Sequence, residues 1–380
     1  MTWHPAALAQ GHPGLALTFA ELAARFPGEG WEAAAHRQIE LAVEAVRSER
    51  RPDGSLFGGL AGVAFAAAAV DADRYARLLG TLDRLLREHT ERGIERLDSR
   101  ERGAAEHDFD VVSGLSGLGA YFLLRGDHAA VRRVVGRLVD LILAEGEVPN
   151  WYTPPELLDD HSAATYPRGR LNCGLAHGLP GPLALLALAH VSGVADESVA
   201  RAIQRASTWL VDQVVEDEWG VNWPYAVSTD AADRRPARAA WCYGAPGIAR
   251  ALWLAGTAIG DERLRDVAVA ALEAVAARPA SVREADAPTF CHGLAGLLHI
   301  TLRTADDSGS ETLRAFADEL LVSLLDAFEP DSIFGYRDLD PDGGAVDRPG
   351  VLQGAAGVVL VLLAAGSGAV HRWDRVFLVA

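Results

Sequence analysis

WCYGAPG occupies residues 241–247, and its pattern returns as FCHGLAG at residues 290–296. In both stretches a cysteine stands two residues before a G-x-x-G turn that opens an apolar segment. Cys242 and Cys291 are 49 residues apart, as are the glycines that follow them. An internal repeat produces such a spacing, so these two stretches indicate that the chain is built from repeated units.

The G-x-x-G signal recurs at similar intervals along the whole chain. It begins at Gly11, Gly59, Gly114, Gly178, Gly244, Gly293 and Gly354. Each repeat continues with a segment that is apolar nearly all round, such as residues 182–189, which suits a helix surrounded by protein. An amphipathic segment follows, such as residues 131–142, with apolar residues at the i, i+3, i+4, i+7 spacing of a half-exposed helix. No comparable series of strand patterns is present, so the sequence predicts an all-α protein.

Buried helices that alternate with half-exposed ones favour an α/α toroid, a double ring with seven inner helices and about six to seven outer ones. A solenoid is the competing architecture, but it requires polar capping repeats, and this chain ends in the apolar residues 376–380. We expect one domain over residues 1–380. Gly11 leaves no room upstream for an outer helix, so only six are clear, and either the ring tolerates the gap or a partner covers it.

Composition excludes several classes of function. The net charge of −17 argues against a nucleic-acid partner. All 35 basic residues are arginine, so every mechanism that needs a lysine is excluded. Three cysteines are too few for a disulfide framework and no signal peptide is evident, which predicts a reducing, cytoplasmic protein. The uncharged run 350–370 has its dense apolar part only at Ala355–Ala365, so we expect a buried helix rather than a transmembrane segment.

Residues just before each G-x-x-G are expected to lie on one rim of the ring. This register places Cys242 and Tyr243, then Cys291 and His292, then His177, with Asp110 four residues before its glycine. Two thiolates and one imidazole suit zinc and leave a fourth position open, as in catalytic sites. The alternative is that both cysteines are simply buried small residues, as free cysteines often are. Cys173 is out of register and is expected in the core.

Zinc at such a site would bind a thiol and lower its pKa, which prepares the sulfur as a nucleophile. His177 is then a candidate general acid or base, Asp110 would orient it, and Arg238 would stabilise an oxyanion or enolate. Each residue also has a structural alternative: a core histidine, a helix cap and a solvated arginine. Two long inter-repeat stretches, 147–170 and 330–349, are predicted loops over one rim, where substrate contacts are common.

Together these motifs resemble the lanthionine synthetase C-like proteins, whose bacterial members are lanthipeptide cyclases. The resemblance rests on WCYGAPG, CHGLAG, FDVVSGLSG at 109–117, GLAHGLPG at 174–181 and LQGAAG at 352–357. These motifs and the glycine repeats run in order along nearly the whole chain. The resemblance implies a seven-fold α/α toroid with one zinc ion, held by Cys242, Cys291 and His292.

The resemblance also implies a reaction. The zinc would activate cysteine thiols of a dehydrated precursor peptide for Michael-type addition to dehydroalanine or dehydrobutyrine, which gives lanthionine or methyllanthionine rings. By motif, His177 and Asp110 belong to the proton-transfer set, Arg238 matches the arginine four places before the zinc cysteine, and Tyr243 follows that cysteine. Some family members have a β-rich insertion that has no evident counterpart in this sequence. The resemblance therefore does not imply that this chain binds a leader peptide.

Two other functions remain open. Eukaryotic relatives suggest a glutathione-type thiol transferase that acts on dehydrated protein residues. A non-catalytic scaffold that holds a leader peptide or a dehydratase is the alternative from another class. The arginine-only, alanine-rich composition is typical of a high-GC bacterial gene and favours the cyclase. A helical-ring glycosidase is more remote, because it needs two carboxylates and the register supplies only Asp110.

Overall fold

The computed structural model describes residues 2–194, 196–228, 234–340, 342–367 and 371–380. Within them lie 16 α-helices and three pairs of short antiparallel strands. The chain divides into two compact units, one made of residues 1–86 and 280–376, the other of residues 87–279 and 377–380. That residues 1–380 form a single domain stays a prediction.

The elements follow one another along the chain in this order. They are α1 (His12–Arg25), α2 (Trp31–Ser48), α3 (Leu60–Asp71), α4 (Ala76–Asp98), α5 (Glu106–Phe109), α6 (Leu115–Arg125), α7 (His128–Leu143), a 3-10 turn (Pro155–Leu157), α8 (Asp160–Thr165), β1 (Arg170–Asn172), α9 (Pro180–Val191), α10 (Glu197–Asp212), β2 (Val215–Asp217), β3 (Gly220–Asn222), β4 (Ala226–Ser228), α11 (Ala245–Ile259), α12 (Glu262–Ala277), α13 (Ala280–Arg283), α14 (Leu294–Ser308), α15 (Glu311–Asp326), β5 (Arg337–Leu339), β6 (Ala345–Asp347), α16 (Ala355–Ala365) and a 3-10 turn (Trp373–Phe377).

The predicted alternation of buried and half-exposed helices is confirmed. Seven helices begin within two residues of the G-x-x-G glycines, namely α1, α3, α6, α9, α11, α14 and α16. In α3 the first nine residues are all buried, and in α9 nine of the twelve are, because neither helix has a polar face. Six longer helices, α2, α4, α7, α10, α12 and α15, are the amphipathic partners. In α7, for instance, the valines and leucines of one face are buried while Arg132 and Arg133 are exposed.

In the first unit the two ends of the repeat series are neighbours. Helix α1 packs against α2, α3 and α16, and α16 packs in turn against α14. The segments that lead into α1 and α16 are joined by a hydrogen bond from Val351 N to Ala9 O of 2.9 Å. A solenoid would keep its first and last repeats apart, so this contact is the one that a closed ring requires.

In the second unit the inner helix α9 lies between α6 and α11, and α10 contacts α7, α9 and α11. The last four residues of the chain belong to this unit. Trp241 Nε1 donates to Phe377 O at 3.1 Å, and the buried Arg250 donates from Nε to Val379 O at 2.6 Å. The apolar end of the chain is therefore packed core, as its sequence suggests, and not a polar cap.

The strands differ from the all-helical expectation. β1 pairs with β4, β2 with β3 and β5 with β6, each over three residues. Three residues are too short to show an alternating pattern in the sequence. β5 and β6 form a hairpin within the stretch 330–349. β1 begins at the end of the stretch 147–170 and pairs with the distant β4, so strand pairing partly orders both predicted loops.

Helix α16 has the bounds of the dense apolar segment predicted from the sequence, and its inward residues are buried. None of the helices that the structure describes is both long and apolar enough to cross a membrane.

We predict that Gly244→Ala destabilises the protein more than Gly260→Ala. Both glycines have positive φ, +91° and +70°. A Cβ at Gly244 would lie 1.8 Å from Arg238 O, whereas nothing lies within 4 Å of one at Gly260. The clash should cost about 1–3 kcal/mol beyond the strain of the left-handed conformation. Denaturant unfolding of both variants measures the difference, and equal losses would contradict the close approach of the backbone.

Candidate active site

Backbone hydrogen bonds confirm that the residues before the glycines share a rim within the first unit. The residue two places before the first glycine of each G-x-x-G is here named the pre-turn residue. Ala9 N donates to Phe57 O at 3.1 Å, Leu352 N to Ala9 O at 3.2 Å, and Cys291 N to Leu352 O at 2.8 Å. Each of these donors and acceptors belongs to a pre-turn residue. Cys291 is therefore part of a continuous hydrogen-bonded row of equivalent positions.

The second unit contains a similar row. Ala176 N donates to Cys242 O at 3.3 Å, and Val111 N donates to Ala176 O at 3.1 Å. Cys242 and Ala176 are both pre-turn residues, and Val111 lies one position further from its glycine. His177 follows Ala176, and Asp110 precedes Val111, so three successive repeats bring Cys242, His177 and Asp110 to one rim.

His177 and Asp110 form a direct pair. His177 Nδ1 lies 2.6 Å from Asp110 Oδ2, while Asp110 Oδ1 accepts hydrogen bonds from Ser113 N at 2.7 Å and Gly114 N at 2.8 Å. The carboxylate thus both caps the turn before α6 and orients the imidazole. Asp110 therefore fits the helix-cap interpretation and the catalytic interpretation together. With Nδ1 engaged, Nε2 is the ring nitrogen that can exchange a proton with a bound molecule.

The environment of His177 favours its protonated form. Burial lowers the pKa of His177, but the hydrogen bond and the negative charge of Asp110 outweigh it, so the pKa is raised above its usual value. The Asp110 side chain is 1% exposed and that of His177 is 38% exposed. A buried carboxylate therefore stabilises an imidazolium that can still be reached from outside.

Arg238 and Tyr243 belong to a second connected set. Arg238 Nε donates to Tyr225 Oη at 3.1 Å, the rings of Tyr225 and Tyr243 are 5.4 Å apart, and Asn172 Nδ2 donates to Tyr243 Oη at 3.2 Å. Burial raises the pKa of Tyr243, so its phenol stays protonated. Arg238 is held in place at a half-buried position, which disfavours the solvated alternative. Sequence reasoning missed Tyr225 and Asn172.

A further ion pair borders this set and was also missed. Arg170 donates from Nε to Glu106 Oε1 at 2.7 Å and from Nη2 to Glu106 Oε2 at 2.9 Å. Glu106 O in turn accepts a hydrogen bond from Asp110 N at 3.0 Å. The bidentate pair thereby fixes the short helix α5, which ends at the residue before Asp110.

In the first unit Cys291 and His292 are both half-buried. A buried carboxylate, Asp338 of β5, accepts hydrogen bonds from Thr289 Oγ1 at 3.3 Å and Arg348 Nη1 at 3.0 Å. Burial raises the pKa of Asp338, against the opposing influence of His292 and Arg348. The hairpin of β5 and β6 is thus attached to the segment that carries the two candidate ligands.

The donor atoms fit zinc. The candidate ligands are Cys242 in the second unit and Cys291 and His292 in the first. None of the three cysteines forms a disulfide, and two thiolates with one imidazole are a donor set that zinc prefers. Cys173 is different: it is fully buried, and burial raises its pKa to about 12, which agrees with the core position expected for it.

Comparisons with known proteins agree with these observations. Residues 2–378 match the family model of the lanthionine synthetase C-like proteins. The nisin biosynthesis protein NisC of Lactococcus lactis subsp. lactis is 27% identical over 368 residues, which cover 93% of this chain and 84% of that protein. The solved structure of nisin cyclase is similar with a TM-score of 0.85 and 25% identity, over 100% of this chain and 93% of that one. This similarity confirms the predicted α/α toroid.

Proposed function

Because the chain belongs to the lanthionine synthetase C-like family, we propose that it is a zinc-dependent lanthipeptide cyclase. It would add cysteine thiols of a precursor peptide to dehydroalanine or dehydrobutyrine residues of the same peptide. The observation that carries this proposal is the His177–Asp110 pair, which shares a hydrogen-bonded rim with the candidate zinc ligand Cys242. The likeness to the nisin biosynthesis protein supports the same reaction class.

We propose that Cys242, Cys291 and His292 hold one zinc ion per chain. The equivalent places of Cys242 and Cys291 in the repeats and the donor atoms of the three side chains support this assignment. Three protein ligands leave one tetrahedral position open. Bound there, zinc would hold a substrate thiol as the thiolate at neutral pH.

The remaining steps fall to the side chains of the protein. The substrate thiolate forms a bond to the β-carbon of the alkene, whose π electrons move toward the α-carbon and its carbonyl as an enolate. Arg238, fixed by Tyr225, is suited to stabilise the enolate oxygen. His177 then delivers a proton from Nε2 to the α-carbon. The thiol proton passes to solvent, His177 regains one proton from solvent, and the α-carbon has gained one, so the addition balances without an oxidant or reductant.

Asp110 acts through His177. It holds Nδ1–H and keeps the imidazolium available, because it raises the pKa of His177. Tyr243, whose neutral hydroxyl is held by Asn172, is the second group able to donate a proton at this rim. A dehydratase that prepares the precursor is the expected partner enzyme, and the need for free thiols suits the reducing, cytoplasmic setting predicted from the cysteines.

The first test is metal content by mass spectrometry, combined with an assay on a synthetic peptide that carries one dehydrobutyrine and one cysteine. We expect about one zinc per chain and loss of the alkylatable thiol. Glutathione and a cysteine-free dehydrobutyrine peptide form the second arm. Faster addition there would favour the thiol transferase. A folded protein that takes up no supplied zinc and consumes no thiol would favour the scaffold.

A further inference from the structure

A cavity of about 230 Å³ lies beside His177 in the second unit. One wall is formed by the proton-transfer pair, His177 and Asp110. Another part of the lining comes from the stretch 147–170 and includes Leu157 and Leu158. The volume is below the roughly 300–1,000 Å³ of sites for drug-sized ligands, so it suits one or two amino-acid residues.

The charged groups of the wall already have partners. Glu106 is bound by both arms of Arg170, and Asp110 by His177. Asp159 Oδ1 accepts hydrogen bonds from His161 N and Ser162 N at the start of α8. A charged ligand would have to break one of these pairs, so the cavity favours an uncharged one.

The part of the lining that carries Leu157 and Leu158 is partly apolar and firmly held. Thr153 N donates to Arg170 O at 2.8 Å, and the Thr153 hydroxyl donates to Ala104 O at 2.8 Å. This buried anchor leads directly into the 3-10 turn that carries Leu157, while Leu158 follows the turn. Both leucines are half-buried, so part of each side chain remains available for contact with a ligand.

We propose that this cavity seats the dehydrated residue of the precursor peptide that receives the thiol, and that Leu157 and Leu158 select between dehydrobutyrine and dehydroalanine. The inference rests on the proposed cyclase function. A dehydrated residue is small, planar and uncharged, as the wall requires. Its α-carbon must come within reach of the acid that protonates it, and His177 borders the cavity.

The two leucines have a chemical reason to discriminate. Dehydrobutyrine carries one methyl group more than dehydroalanine, on the carbon that the thiolate attacks. An apolar pocket distinguishes one such group by roughly 10- to 200-fold. The two leucine side chains of the lining would contact that methyl group and so favour one orientation of the alkene beside His177.

The test fills the cavity and leaves the rest of the site alone. Leu158→Trp and Leu157→Trp add bulk to the wall, and Glu156→Trp adds the same bulk at an exposed position of the same turn that does not line the cavity. We expect both leucine variants to lose about tenfold or more in kcat/KM for a peptide with one dehydrobutyrine and one cysteine. Zinc content and helical signal should stay as in the wild type, and Glu156→Trp should change kcat/KM less than twofold.

A binding measurement keeps the test independent of turnover. A fluorescent peptide that carries dehydrobutyrine but no cysteine is titrated into wild type, Leu158→Trp and Leu158→Ala. We expect weaker binding to Leu158→Trp. For Leu158→Ala we expect a smaller preference for dehydrobutyrine over a dehydroalanine peptide, a result that needs no bulky substitution to be tolerated.

The outcomes separate this inference from the function on which it rests. Leucine variants that bind and cyclise the peptide like an active wild type would overturn the cavity assignment and leave the cyclase standing. The cavity assignment and the cyclase function would both be overturned by a wild type that binds zinc yet forms no thioether, either within the peptide that carries dehydrobutyrine and cysteine or between glutathione and the cysteine-free peptide. An equal loss in Glu156→Trp would show that bulk anywhere on the turn is harmful, and would reject the cavity as the cause.

Discussion

Cys291→Ala is expected to lose the bound zinc and thioether formation while its helices stay folded. The substitution removes one of two thiolates from the proposed ligand set, and the two remaining ligands are too few for a stable zinc site. The backbone N–H of residue 291 still donates to Leu352 O, so the hydrogen-bonded row along the rim is kept. We expect less than about 0.1 zinc per chain and a loss of activity of about a thousandfold or more.

The chain provides a matched control in Cys173→Ala. Like Cys291, Cys173 forms no disulfide, but it is fully buried in the core. Its replacement removes a cysteine and leaves a small cavity, which should cost about 1 kcal/mol of stability. Zinc content and cyclisation should stay unchanged. Metal analysis and circular dichroism on both variants provide the comparison.

Two results would contradict the ligand assignment. Zinc that remains at the wild-type level in Cys291→Ala would show that Cys291 is not a ligand. Loss of the helical signal together with the metal would make the ion structural, because folding would then depend on it. Loss of zinc from Cys173→Ala would show that any core disturbance releases the ion.

The repeats were predictable because each one contains its own local signals. The bounds of α16 follow from an uninterrupted apolar segment bracketed by glycines, and no distant contact is needed to define them. The positions of Cys242 and Cys291 were predictable for a related reason. Residues at equivalent places in successive repeats occupy equivalent places in the fold. The backbone hydrogen bonds from one pre-turn residue to the next hold these positions side by side.

The residues that were missed lie outside this register. Tyr225 and Asn172 stand in or beside segments that differ in length from repeat to repeat. Asn172 is 71 residues from Tyr243, and Arg170 is 64 from Glu106. Asn172 and Arg170 both belong to β1, which pairs with the distant β4, and no local pattern in the sequence indicates that pairing. The support around the site was therefore less predictable than the groups it supports.

His177→Ala is expected to keep zinc and to slow ring formation by about a hundredfold to ten-thousandfold, the range that a positioned general acid contributes. His177 is not one of the proposed ligands, and its own side chain lies at a half-exposed rim position, but its removal takes the counter-charge from the buried Asp110 carboxylate. Asp110 loses one partner but still accepts hydrogen bonds from Ser113 N and Gly114 N. Single-turnover kinetics with metal analysis test the expectation.

Asp110→Asn tests the same pair through its pH profile. An amide oxygen can still accept from Ser113 N and Gly114 N, so the turn before α6 should survive. The negative charge that raises the pKa of His177 is lost, however. The acid form of His177 is present below its pKa in the folded protein and disappears as the pH rises through it. Activity should therefore begin to fall at a lower pH in Asp110→Asn than in the wild type.

The alternative acid at this rim is Tyr243, and the two variants separate it from His177. Burial raises the pKa of Tyr243, so its phenol carries a proton throughout the neutral range and gives no decline in activity there. If Tyr243 were the acid, His177→Ala would cyclise at the wild-type rate, Asp110→Asn would keep the wild-type pH profile, and Tyr243→Phe would be the slow variant. If His177 is the acid, Tyr243→Phe loses only the hydrogen bond to Asn172. Its cyclisation activity should then still fall as the pH rises through the pKa of His177.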